Sequence, residues 1–445
     1  MVTFETVGAV QPSSLAPFHR TRLPCGVPLI VREMPRASVA NVSIWCRTGS
    51  AHEPPAVNGI SHFLEHMYFK GTDRYGPGDM DRVIKGLGGY NNAATSIEYT
   101  NYFASVPAEN YPLALEVLAD ALLHSRFDPA EIERERQVVL EEIGRKEDDP
   151  QGKLFVEFQR DFGDSTPYGQ PILGRAETLS RIDRDAFLAY LRERYTAPNL
   201  CLVVAGRVER DDVAGRAAAA LAGTPPGTPN RVGTFPWLPL ERRERRVSRD
   251  IRHAYLMVGF RTPGLVDQEE SFALEMASAI LGRGRSSRLV KRLREELGIV
   301  SGISAWTWDL SRGGMLTVSA GFEPDRESQV RDEIEAHLSR LQREIVSQEE
   351  LDRARTVASA DFHFSTETPG DVGGTLGHFH VASSAEDAIE YLPRLQRVTP
   401  EQVREAAKRW LAPEHAVITV VCPSAAAEKA SAGEAAHAEL RAFRP

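Results

Sequence analysis

The sequence predicts an α+β fold made of two homologous lobes, on three observations. At 445 residues the chain is too long for one core, taking about 150 residues per domain. Short apolar runs of strand type alternate with segments of helical periodicity. A motif also recurs at an offset of 215 residues: Arg194-Tyr-Thr-Ala-Pro198 precedes the apolar run 200–204, and Arg409-Trp-Leu-Ala-Pro413 precedes 416–421. Two copies of that length imply two similar lobes, not a solenoid.

Taken in order, the periodicity predicts strands over 27–34 and 39–47, then helices over 59–70 and 79–87. Helical patterns follow over 109–124 and 129–148, the second with Pro129 where a first turn tolerates proline. Residues 200–205 read as a buried strand. The stretch 223–239, GTPPGTPNRVGTFPWLP, is too rich in Pro and Gly for a helix or a central strand and reads as a linker. Beyond it come a strand over 254–261, helices over 268–281 and 286–297, and a strand over 313–320. The expected division is a first lobe over 1–222, a linker over 223–245, a second lobe over 246–423 and an Ala-rich tail over 424–445.

Composition excludes several classes. A net charge of −9 offers no overall attraction to nucleic acid or anionic membranes. No eighteen-residue apolar run exists to span a bilayer. Cys25, Cys46, Cys201 and Cys422 are widely spaced and form no C-x-x-C pair, so reduced thiols are expected rather than a disulfide framework or a thiolate metal site. The N-terminus carries neither a signal-peptide nor a presequence pattern, and the expectation is a cytoplasmic protein.

The chemistry sits in His62-Phe-Leu-Glu65-His66. Imidazoles four residues apart share one helix face and can chelate one metal. Two histidines and a carboxylate leave zinc an open position for water, and a neighbouring glutamate can accept that water's proton. A third ligand must come from elsewhere. The acidic stretch IERERQVVLEEIGRKEDD places Glu135 and Glu142 on one helix face, with Val138, Val139 and Ile143 as its apolar side.

These residues resemble the inverted zinc peptidases of the pitrilysin and insulinase type, which include the mitochondrial processing peptidases. That family's H-x-x-E-H is followed by a Glu about 76 positions past the second His, and Glu142 stands 76 beyond His66. The resemblance implies His62, His66 and Glu142 as ligands of one zinc ion, Glu65 as general base and Glu135 as a carboxylate supporting a ligand. It also implies that each lobe is a mostly antiparallel sheet packed with helices, and that the second lobe has lost its metal. Gly88-Gly-Tyr-Asn-Asn92-Ala93-Ala-Thr95 is similar to the family's edge strand beside the zinc, where Asn92 and the backbone at Ala93 would hold an extended substrate.

In the second half, the segment from Ser286 to Ser301 is similar to the family's substrate-holding segment, whose Arg and Tyr stand seven residues apart. Arg294 is in place, and Ser301 occupies the Tyr position. A serine is too short to reach the same oxygen. The resemblance therefore implies a zinc endopeptidase for unfolded peptides, enclosed in a chamber formed with a homologous subunit. A heterodimer whose partner brings the Arg and Tyr is favoured over a homodimer. The rival expectation is a non-catalytic assembly subunit, against which the intact HFLEH and Glu142 argue.

Overall fold

The computed structural model describes residues 3–8, 15–164 and 166–424. Strands β1 (Glu5–Val7), β2 (Phe18–Arg22), β3 (Pro28–Glu33), β4 (Val39–Cys46), β5 (Tyr90–Thr95), β6 (Thr100–Pro107) and β7 (Leu200–Gly206) form one sheet, ordered β1-β2-β3-β7-β4-β6-β5. Strands β8 (Arg243–Arg249), β9 (Ala254–Thr262), β10 (Gly302–Leu310), β11 (Gly313–Phe322) and β12 (Val417–Pro423) form a second, ordered β10-β11-β9-β12-β8. Every neighbouring pair is antiparallel except β3 with β7 and β8 with β12. Strands β3, β7, β4, β6 and β5 thus have counterparts β8, β12, β9, β11 and β10 in the same order and sense. The repeat seen in the sequence falls on β7 and β12, as a duplicated α+β lobe requires.

The helices are α1 (Ile60–Tyr68), α2 (Asp79–Gly86), α3 (Tyr111–His124), α4 (Pro129–Asp148), α5 (Pro150–Gly163), α6 (Ala176–Leu179), α7 (Arg184–Arg194) and α8 (Arg210–Ala220), then α9 (Gln268–Gly282), α10 (Glu327–Arg343), α11 (Gln348–Phe364), α12 (Pro369–Ala382), α13 (Ala385–Arg397) and α14 (Pro400–Trp410). The compact units they build are not contiguous in sequence. One contains the described residues up to Ile143, those from 166 to 233, and Ala360–Pro393; the other contains Gly144–Asp164, Thr234–Ser359 and the residues from Arg394 on. These differ from the contiguous lobes expected over 1–222 and 246–423. Burial of apolar faces, rather than position along the chain, decides the membership. Leu154, Phe158 and Phe162 of α5 pack with Met257, Met315, Val417 and Val421 of the second sheet. Val372, Leu376 and Val381 of α12 pack with Ile30, Trp45, Cys201 and Val203 of the first.

The span expected as linker is irregular over 224–242 but is fastened along its length. Asn230 is buried and its amide donates to the Arg47 carbonyl at 2.8 Å, while the Trp237 indole donates to the Thr262 carbonyl at 2.9 Å with the Arg261 guanidinium 4.2 Å above its ring. Strand β8 begins inside the expected linker. It has almost no apolar residues to reveal it, since Arg243, Arg245, Arg246 and Arg249 pair with Asp164, Asp161, Glu327 and Glu147. Such a charged edge resists pairing with further strands. The helix expected over 286–297 starts at Arg288 and is wound as a π-helix over Val290–Glu296. The Ala-rich tail lies, beyond Ser424, outside the described residues. The four cysteines are free, and no helix among the described residues is long and apolar enough to cross a membrane.

The first sheet's cover depends on one close approach. A Cβ on Gly377 of α12 would lie 2.0 Å from Nε1 of Trp45, which is itself held by a 3.1 Å bond to Ser43 Oγ. Gly377→Ala is expected to lower stability by roughly 1–3 kcal/mol through overpacking, read as a lower thermal midpoint. An unchanged midpoint would show that Trp45 can yield.

Candidate metal centre

Helix α1 buries Ile60, Phe63, Leu64, Met67 and Tyr68, so His62, Glu65 and His66 fall together on its other side. Its start is closely held. Gly59 has φ +97° and a Cβ there would lie 2.7 Å from Gly174 Cα, so only glycine fits. No side chain at that position can cap the helix, and Glu53 does so from upstream. Its buried carboxylate accepts from Gly59 N (2.6 Å), Ser61 N (2.8 Å) and Asn58 Nδ2 (2.7 Å). A carboxylate is favoured at a helix N-terminus, where amide hydrogens converge. The Ser61 hydroxyl bonds Tyr190, which bonds Thr48 (2.8 and 2.7 Å), fixing the helix's rotation.

Helix α4 supplies the carboxylates. Ile132, Glu135 and Val139 are buried and Ile143 packs on the core, but Val138 is 40% exposed. The expected apolar side is corrected on that point: Val138 is one residue, about 100°, away from Val139 on the helix and faces outward. Glu142 Oε2 lies 3.6 Å from Nε2 of both His62 and His66, whose ring centroids are 4.8 Å apart. Donors held about 2.0–2.2 Å from one tetrahedral ion would stand roughly 3.3–3.5 Å from each other. The two Glu142–histidine distances match that spacing, and the N, N, O atoms all lie within 4.8 Å of one another, so the set could hold a divalent metal ion; it is the one such cluster among the described residues.

Glu135 is buried beside this set. Its Oε2 lies 3.2 Å from His66 Nδ1, the ring nitrogen turned away from the cluster, and its Oε1 lies 2.5 Å from Lys70 Nζ. A carboxylate accepting from Nδ1–H leaves the lone pair on Nε2, directed at the ligand position. Lys70 pairs with the other oxygen of that carboxylate. Burial opposes a charged His66 imidazole, but Glu142 and Glu135 outweigh it and raise the pKa. Glu65 is pushed upward by burial, against the 2.5 Å hydrogen bond that Thr95 Oγ1 donates to its Oε2. Sequence reasoning missed Lys70, Glu53 and the role of Thr95. Thr95 ends the recognised edge-strand segment and Lys70 stands just past HFLEH, whereas nothing in the sequence marks Glu53 as a cap.

Among the described residues, strand β5 is a free edge of the first sheet and pairs only with β6. Ala93 and Thr95 point to the side of α1, and Asn92 points the other way and is exposed. The Asn92 side-chain oxygen accepts from Ala93 N at 2.9 Å. The centre therefore brings together His62, Glu65, His66, Glu135 and Glu142 with the Ala93–Thr95 end of β5.

Arg294 belongs to the second unit and is exposed on the π-helix. The Ser301 hydroxyl donates to the Gly321 carbonyl at 3.0 Å. Arg288, at the start of that segment, makes two hydrogen bonds to Glu350 of α11, at 2.7 and 2.9 Å.

Residues 29–176 match the family described as insulinase (peptidase family M16), and residues 181–357 match the peptidase M16 inactive domain. An uncharacterized zinc protease of Bacillus subtilis is 30% identical over 402 residues, covering 90% of this chain and 97% of that protein. The chain belongs to the M16 peptidase family. An uncharacterized zinc protease of Mycobacterium tuberculosis is 30% identical over 409 residues, covering 90% of this chain and 92% of that one. The crystal structure of a protease from Helicobacter pylori has the same fold, with a TM-score of 0.84 at 23% identity over 91% of this chain and 99% of that one. In this M16 chain the second unit, which falls largely within the inactive-domain match, is also the one without a metal-binding cluster among its described residues.

Arg288 holds the Glu350 carboxyl down from 4.5 to about 2. The folded pKa is depressed, so this pair's stabilisation is fully present above pH 4.5 and is lost as pH falls toward 2. Acid unfolding of Glu350→Gln should therefore show a shallower loss of stability across that window than the parent. Equal slopes would show that the pair contributes nothing.

Proposed function

We propose that this chain is a zinc-dependent endopeptidase acting on unfolded peptides, with His62, His66 and Glu142 holding one zinc ion and Glu65 as general base. The observation that carries the reading is the Glu142 carboxylate, 3.6 Å from Nε2 of both histidines with Glu65 on the same helix face. The names of the zinc protease relatives agree with it. A zinc ion there supplies Lewis acidity to a water molecule and to a scissile carbonyl oxygen. Glu65 takes a proton from the attacking water and delivers it to the leaving amine, and its upward-shifted pKa suits a group that does both. Glu135 holds His66 in the tautomer that ligates through Nε2. An extended peptide adds to the free edge of β5, displacing the Asn92 side chain from the Ala93 N–H so that the substrate's main chain can take that donor.

The partner reading follows from Ser301. Its hydroxyl is engaged by Gly321 and is too short to extend to a substrate carbonyl, so a homologous subunit is proposed to bring the Arg and Tyr. Arg294 then serves as this chain's own substrate contact in the reciprocal arrangement.

Purified chain is expected to carry about one zinc ion per chain and to lose peptidase activity on chelation. Glu65→Gln should keep the zinc while lowering kcat roughly 10²–10⁴-fold, and His66→Ala should lose the metal. Full activity in Glu65→Gln would exclude the assigned base. Zinc content well below one per chain, with no Glu65-dependent cleavage, would support a non-catalytic assembly subunit instead. A second measurement addresses the partner: the zinc-loaded chain alone should be inert on an unstructured fluorogenic peptide and gain activity with a homologous subunit carrying Arg and Tyr. Glu65-dependent activity of the chain alone would remove the need for that partner.

A further inference from the structure

Glu65 has a long, rotatable side chain, and its carboxylate must present one oxygen to the space framed by His62, His66 and Glu142. Helix α1 fixes the Cα of Glu65 but does not fix the carboxylate. The hydrogen bond that does so, among those described, comes from outside the HFLEH motif: Thr95 Oγ1 to Glu65 Oε2 at 2.5 Å. An ionised carboxylate can only accept, so the threonine hydroxyl is the donor. Hydrogen bonds to charged acceptors are short and strong, which matches this distance.

Thr95 is itself held in place. It is β-branched and stiff at χ1, it ends β5 opposite Thr100 of β6, and the turn that follows is bound through Ser96 O to Ser50 N and Ile97 O to Ala51 N. We infer that Thr95 is a positioning residue for the proposed base: its hydroxyl occupies Oε2 and so aims Oε1 at the metal-binding cluster. The strand whose free edge is proposed to take the peptide also ends in the residue that orients Glu65. Substrate register and base orientation are thus set by the same six-residue strand. This inference rests on the role proposed for Glu65 and adds a residue that acts through it.

The test compares Thr95→Val, which keeps the shape and removes the donor, with Thr95→Ser, which keeps the donor. Crystal structures of the zinc-loaded proteins should show Glu65 in one orientation in the parent and in Thr95→Ser. In Thr95→Val the carboxylate should be rotated or split between orientations, with His62, His66, Glu142 and the zinc content unchanged. On an unstructured peptide, with whatever homologous subunit the parent needs, Thr95→Val should lower kcat roughly 10–100-fold with KM within about twofold. Thr95→Ser should stay within about threefold of the parent in both. An unmoved Glu65 carboxylate in Thr95→Val, or an unchanged kcat, would overturn the inference. Loss of zinc from Thr95→Val would also overturn it, by placing the effect on the ligands. A parent that retains full activity in Glu65→Gln would instead refute the role of Glu65, and the crystallographic comparison would still decide whether Thr95 orients it. Should Thr95→Val fold poorly, Thr95→Ala is compared by the same structures and rates.

Discussion

The constraint on which this centre depends is electrostatic. Glu65, Glu135 and Glu142 stand together with two imidazoles in a partly buried place, where like charges repel more strongly than in water. Burial is the main upward push on Glu65, and the Glu142 charge adds to it. The arrangement persists because positive charge is placed against it. Lys70 pairs with Glu135, and Glu142 and the two histidines form a cluster that could hold a cation. Such crowding is tolerable only on a rigid frame, which α1 provides through the buried Glu53 carboxylate at its start and the apolar side packed beneath it.

The duplication shows which parts of a lobe the fold needs and which the chemistry needs. Five strands recur in the same order with the same single parallel pair, because the sheet is stabilised by its buried faces and ladder hydrogen bonds. The helix that carries His62 and His66 contributes to that core mainly through its apolar side. Its polar side can change without loss of the fold, and the second unit carries no comparable cluster among its described residues. The non-contiguous units follow from the same physics: α5 and α12 each bury an apolar face on the sheet that accommodates it, far along the chain from their sequence neighbours.

Much of this was legible beforehand. The repeated R-x-x-A-P motif carried the duplicated fold and the HFLEH spacing paired the two histidines, because each is a local periodicity or a count, whereas the choice of Glu142 rested on the family resemblance. The charged strand β8 was missed since its side chains are held by ion pairs, and apolar periodicity is blind to those. Val138 was misplaced because a residue beside a buried one on a helix is a quarter-turn away.

Local order along the chain thus settled several of the elements, the duplication and the residue types able to bind a metal, since those depend on spacing and side-chain chemistry alone. The tertiary structure settled which groups meet: Thr95 with Glu65 across 30 residues, Lys70 with Glu135 across 65, and the helices that complete each sheet. Those contacts join distant segments whose separation in sequence carries no fixed geometric meaning, and only packing sets the distances between them.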